Sequence, residues 1–215
     1  MFAQTARPVC GLVAATILCA CTGGASSEDA AAEVQPEAGW TTDILPPPGY
    51  GTLRQDDFTV PLQSDDTQVK VTPLDEAVIR LAAPDTYQRL HALVASRITL
   101  IREMGRNAGL RADASVFLVS FFTYARQAEF APTELSLLSQ GMLYRPIGIL
   151  PLTPGWGRQQ LRQQETQSAL YLFDPAIDLD LTFQAEYAGE RSLDWTRIIR
   201  VLQAERGRVL SRARS

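Results

Sequence analysis

Asp174, Asp178 and Asp180 are the residues whose types and spacing come nearest to a chemical site. Asp178 and Asp180 fall on one face of an alternating run and Asp174 sits on the turn before it. Oxygen ligands for a hard cation such as Ca²⁺ converge in arrangements of that kind. The spacing matches no EF-hand loop, however, and alternation alone puts acids on a solvated face. The expectation is therefore an exposed acidic face, with neither a metal site nor a carboxylate pair for glycoside hydrolysis assigned. The one histidine, His91, lies inside a predicted helix, one residue off its apolar stripe, which suits a boundary or solvent position. A catalytic base needs a nucleophile and an orienting acid beside it, and a lone His cannot supply the ligand set of a zinc hydrolase. There is no Gly-x-Ser-x-Gly elbow and no glycine-rich phosphate loop, and the only lysine is Lys70. Nucleotide binding thus has no support, no catalytic residue is assigned and no cofactor is indicated.

Composition sets the frame for these residues. The chain has 215 residues, 46% of them hydrophobic and 20% charged, which excludes collagen-like, coiled-coil and wholly disordered chains. No apolar run reaches the length needed to span a bilayer, so a polytopic membrane protein is excluded as well. Charge is uneven. Residues 26–76 hold eleven acids against Arg54 and Lys70, whereas residues 189–215 hold seven arginines against three acids. The basic end would meet anionic lipid headgroups or envelope polymers, or else pair with the domain's own acids or form an ordinary arginine-rich helix surface. Nucleic acid is not expected, given the net charge of −4.

The elements that must position any site begin near residue 49. Residues 52–62 and 69–71 read as short strands separated by Ser64-Asp65-Asp66. Thr72-Pro73 reads as a helix cap followed by Pro at the first position, with Asp75 and Glu76 at the helix start and a short helix over 77–82. A longer helix is predicted from Pro84 to Asn107. Its stripe is Tyr87, Leu90, Val94, Ile98 and Ile101, and Gly109 is its cap. The nearly continuous apolar run 116–124 predicts a strand covered on both faces. Residues 135–138 and 142–150 predict two more strands about Gly141, with Pro146 at an edge or bulge. Residues 153–157 read as a loop, and the Gln-rich run 158–167 shows no core pattern. Residues 169–173 resume the apolar pattern, and the alternation over 177–187 predicts a half-buried antiparallel strand. Ser192 is the expected cap of a final amphipathic helix whose face is Trp195, Ile198, Ile199, Leu202 and Val209. Trp40 and Trp156, in loops beside Gly, either form a recognition surface or pack back on the domain.

The N-terminus carries an address. Arg7 precedes a 12-residue apolar run over 9–20, the length of a signal-peptide core. That run ends in Leu18-Cys19-Ala20-Cys21. The pattern resembles the lipobox of bacterial lipoproteins: aliphatic, small, Gly or Ala, then Cys. The resemblance covers about the first 24 residues, and no family is identified for the rest. It implies cleavage before Cys21, a thioether-linked diacylglycerol on Cys21 and acylation of the freed amine. Two or more chains make a stable anchor. With Thr22 in place of an Asp retention signal, the outer membrane, periplasmic side, is the expected location. All three cysteines, Cys10, Cys19 and Cys21, lie in this segment, which leaves none free in the mature domain.

These readings divide the chain into a signal peptide (1–20), a lipidated, Ala- and acid-rich tether stiffened at Pro46-Pro47-Pro48 (21–48), and one globular domain (49–215). The expected fold is α+β: an antiparallel sheet or two-sheet sandwich with a long helix before its main strands and an amphipathic helix after them. The expected function is non-catalytic. A lipoprotein held at the membrane through Cys21 binds an envelope protein or other envelope component. The alternatives are an envelope hydrolase using carboxylates such as Asp174, Asp178 and Asp180, and a carrier of a small apolar ligand in a cavity lined by Phe117, Phe121 and Phe183.

Overall fold

The computed structural model of the chain describes residues 45–214. The leader, the lipobox with Cys21, Trp40 and all of the tether before residue 45 lie outside the described residues. The domain is α+β. Its strands are β1 (Val60–Ser64), β2 (Thr67–Pro73), β3 (Ser115–Thr123), β4 (Gln127–Glu129), β5 (Ser136–Ser139), β6 (Met142–Tyr144), β7 (Gly148–Pro151), β8 (Gln160–Arg162), β9 (Thr166–Phe173), β10 (Phe183–Tyr187) and β11 (Glu190–Ser192). Its helices are α1 (Glu76–Ile79), α2 (Pro84–Ala95), α3 (Ile98–Asn107) and α4 (Trp195–Arg212).

Five strands form one antiparallel sheet in the order β1-β2-β3-β9-β7, four form a second in the order β11-β10-β5-β6, and β4 pairs with β8 as a small ribbon. The core lies between the two large sheets. Register places Phe117, Val119 and Phe121 of β3 opposite Tyr171, Ala169 and Gln167 of β9, so these residues share the inward face. Phe117 meets Phe173 and Phe183 edge to face, with centroids 5.4 and 6.1 Å away, and Phe121 stacks on Phe130 at 4.7 Å. Phe183 in turn stacks on Trp195 at 4.6 Å, which ties α4 to the second sheet. The opposite face of β3 and β9, with Val116, Leu118, Leu170 and Leu172, is covered by helix. Met104 of α3 lies directly on the backbone of Gly148 in β7, where a Cβ would come within 2.6 Å of its terminal methyl.

Several elements depart from their sequence patterns. Residues 52–62 do not form one strand. Asp57 accepts a hydrogen bond from the Arg54 N–H at 2.8 Å, and this local bond closes a 3-10 turn over Gln55–Phe58 before β1 begins. Thr72 is not a helix cap, because β2 runs through Pro73, which lies past the end of β1 where no second neighbour needs its missing N–H. Asp75 caps α1 instead, accepting from Ala77 N–H at 2.7 Å. The helical stretch 84–107 is two helices rather than one. Ser96 and Arg97 both turn back to the Leu93 carbonyl, and Arg97 leaves the helical region at φ −123°. Gly109, at φ +83°, closes α3 as expected, with Leu110 N–H bonded to the Gly105 carbonyl at 3.0 Å.

The stretch 142–150 is split at residues 145–147 and changes sheets, β6 ending one and β7 the other. The Gln-rich run supplies β8 and the start of β9, with Leu161 and Gln167 buried. Ser192 ends β11 opposite Ala185, and Asp194 takes the cap position of α4. The expected strand over 177–187 survives only as β10. Asp174 and Asp178 each accept a hydrogen bond from the N–H two residues on, at 2.8 Å, and these turns replace its first half. Leu181, expected in the core, is 44% exposed as a result.

Candidate functional site

The inter-sheet space expected to hold an apolar ligand is filled by side chains. Phe117, Phe121 and Phe183 are each no more than 1% exposed and are locked into the ring contacts above. Trp156 belongs to the same packing, 5.8 Å from Phe121 and 5.1 Å from Phe130, so it forms no exposed recognition surface. The open space nearest to it lies at the end of the five-stranded sheet where β3 begins. There α1, the α2–α3 pair, the start of β3, the loop 174–182 and α4 enclose a groove of about 670 Å³.

The groove follows from the helix stripe. Leu90 and Ile101 are buried, but the break at Ser96-Arg97 leaves Val94 and Ile98 only half-covered, and they form one wall. Val116 and Phe117 lie at its floor, and Ile177, Leu179, Ile199 and Leu202 complete the apolar lining. The rim is charged. Asp75 and Glu76 stand at the start of α1, Asp113 before β3, Asp178 and Asp180 on the loop, and Arg206 on α4. Arg206 donates to Asp180 at 3.1 Å. Solvent reaches Asp75, yet the walls around it limit its hydration. That burial, with Glu76 and Asp180 nearby, pushes its carboxyl above the usual Asp range, against the hydrogen bond from Ala77 and the charge of Arg206.

The acidic trio is thus divided. Asp178 and Asp180 line the groove rim; Asp174 serves its own turn and does not reach it. Among the described residues no group of three or more His, Cys, Asp or Glu side chains is gathered to hold a metal ion. His91 stays at the surface as expected, half-exposed, with Nδ1 2.6 Å from Glu76 Oε1 and its ring against Tyr87. Arg80 and the Tyr87 hydroxyl converge on the same carboxylate. Burial raises the Glu76 carboxyl, but the hydrogen bonds from Arg80 and His91 outweigh it and hold it below the ordinary range.

The basic end of α4 turns inward on the domain's own acids. Glu205, fully enclosed, accepts from Thr52 N–H at 3.1 Å, from the Thr52 hydroxyl at 2.9 Å, and from Arg208 and Arg212 at 3.0 Å. Burial pushes the carboxyl up, yet those donors together hold it below the usual Glu range. Arg212 also reaches the Tyr50 carbonyl at 2.7 Å, and Leu53 bridges to Ala82, so the incoming chain is fastened to α4 and to the segment between α1 and α2. Gly51 permits this approach, since a Cβ there would overlap the Leu81 carbonyl. Glu205 was not singled out in the sequence, although it falls on the apolar face between Leu202 and Val209, where an acid needs a partner.

A second cleft, of about 650 Å³, lies between the β1–β2 turn and the β4–β8 ribbon. Its walls include Asp65, Asp66, Glu129, Glu134, Arg158 and Gln160, all exposed. It has the volume of a ligand site without a comparable apolar floor, and small-molecule sites are predominantly apolar with a few placed polar groups. The groove beside α4 is the better candidate on that ground. Among the described residues no helix is long and apolar enough to cross a membrane. Compared with protein-family models, curated proteins and solved structures, the chain matches none.

Proposed function

We propose that the chain is a lipid-anchored, extracytoplasmic binding protein whose domain takes a small amphipathic ligand into the groove beside α4. The observation that carries the reading is the groove itself, about 670 Å³ with an apolar floor and a charged rim, within the range of small-molecule sites. The reading is of binding rather than turnover. Asp75 and Asp178 each accept a backbone hydrogen bond and Asp180 is paired with Arg206, so the rim acids serve as fixed acceptors. The anchor rests on the lipobox resemblance at Leu18-Cys19-Ala20-Cys21. Of the envelope components a tethered domain can bind, the groove favours a small molecule over a protein, whose interfaces are broader and flatter.

Two measurements test it. Cys21→Ser releases the protein from the membrane fraction; if the substituted chain still sediments with membranes, lipid on Cys21 is not the anchor. Mass spectrometry of a solvent extract of the purified protein finds a small molecule that is missing from Val94→Trp, whose indole fills the groove. Identical extracts from the two proteins would remove the groove as the binding site.

A further inference from the structure

The rim charges are not balanced, and their imbalance selects a ligand. Asp180 is neutralised by Arg206 at 3.1 Å. Glu76, which also borders the groove, is held by Arg80 and His91. Asp75 and Asp178 make no ion pair among the described residues, although the charge of Arg206 acts on Asp75, and both line the groove together with Val94, Ile98 and Leu179. The hydrogen bonds they accept come from neutral backbone N–H groups. Two acids without an ion-pair partner thus border an apolar trough, and an opposite charge held against apolar walls interacts with them more strongly than in bulk solvent.

We infer that the groove binds a cationic amphiphile, an alkyl or aromatic body ending in a primary ammonium or guanidinium group, with Asp75 and Asp178 as its counter-ions. The inference rests on the groove being the ligand site and adds the sign of the ligand's charge. An apolar tail lies along Val94, Ile98 and Leu179, and the cationic end donates hydrogen bonds to the rim carboxylates, which accept through oxygens not used by the backbone. The raised Asp75 carboxyl agrees with this, since a bound cation would relieve the cost of its ionisation.

The test is a titration of the mature chain, residues 21–215 carrying Cys21→Ser, with octylamine, octanol and octanoate, three probes alike in tail and different in charge. Methyl resonances of Val94, Ile98 and Leu179 report binding at the groove. Octylamine is expected to bind at least about ten-fold more tightly than octanol, with octanoate weakest. Asp75→Asn and Asp178→Asn each narrow the gap between octylamine and octanol. Asn also accepts the backbone hydrogen bond of a cap or turn, so both variants keep the local fold. If octanol binds as well as octylamine, or if neither substitution narrows the gap, the cationic preference is wrong while the groove stands as a ligand site. If none of the probes shifts these methyls, both the preference and the groove reading fall.

Discussion

Along β3 the side chains meet two apolar environments with different fates. Val119 and Phe121 face the four-stranded sheet and are fully buried, Phe121 among interlocking rings. At the start of the strand Val116 and the buried Phe117 border the groove, which stays open beside helices interrupted at Ser96-Arg97. A sheet can spread its apolar residues over an opposing sheet and leave no gap, whereas two short helices joined at a break contact the sheet only along their stripes. The polar groups follow the same division. Glu205 has a donor for each oxygen, and Asp75 stands at the groove with one backbone donor and no ion pair. The finished regions hold the fold, and the unfinished one is where the proposed ligand would lie.

The largest test of this contrast is a pair of truncations. Phe121→Ala removes a ring from the filled side and should cost about 3–5 kcal/mol, whereas Val94→Ala at the groove wall should cost about 1 kcal/mol or less. Urea midpoints of the two variants check it. Similar losses from both would mean that the groove wall is packed as tightly as the core.

Much of the framework behind this contrast was legible in the sequence. The run 116–124 was apolar on both faces, and the α4 face from Trp195 to Val209 repeated at helical spacing, because burial dictates residue type directly. The groove was legible only as parts. Val94, Ile98 and Ile101 belonged to a stripe, Asp75 to a helix start, and Asp178 and Asp180 to an exposed acidic face. Their meeting depends on two local events that periodicity does not register. One is the turn back to the Leu93 carbonyl at Ser96-Arg97, and the other is the pair of aspartate turns that stops β10 from starting at Ile177. In both places a polar side chain or a local bond overrides the apolar pattern. The switch between sheets at residues 145–147 has the same character, since a continuous apolar stretch does not show which sheet each half joins.

A smaller effect is expected at the finished carboxylate. Glu205→Gln removes the charge that three donor residues surround and should cost about 2 kcal/mol near neutral pH, read as a fall in urea midpoint. The sign with pH follows from the lowered carboxyl. Its contribution is fully present above the ordinary Glu value and is lost as pH falls through the lower, folded value, where the folded carboxylate takes up its proton. The gap between wild type and Glu205→Gln should therefore close on acidification. A gap that held constant down to acid pH would show that packing, not charge, accounts for the loss.

The smallest effect, and the one most particular to the groove, is at Asp75. Its carboxyl is raised, so the pH dependence runs the other way. Below the ordinary Asp value the group is protonated in both states and contributes nothing. As pH rises through that value toward the higher folded one, the unfolded chain ionises first and folding becomes less favourable. Glu76, Asp180 and Arg206 face the same carboxyl. Only Arg206 favours its ionisation, and Asp180 already partners that arginine. Asp75→Asn keeps an acceptor for the Ala77 N–H and removes the charge, so it should shift stability by no more than about 0.5 kcal/mol, toward greater stability near neutral pH. That small gain should vanish on acidification, and it should reverse to a relative loss when octylamine occupies the wild-type groove, because a bound cation favours the ionised form. Urea midpoints at several pH values, with and without octylamine, resolve the three conditions. Asp75→Asn less stable than wild type without ligand would mean that the charge already has its partner within the fold, and the division between finished and unfinished carboxylates would not hold.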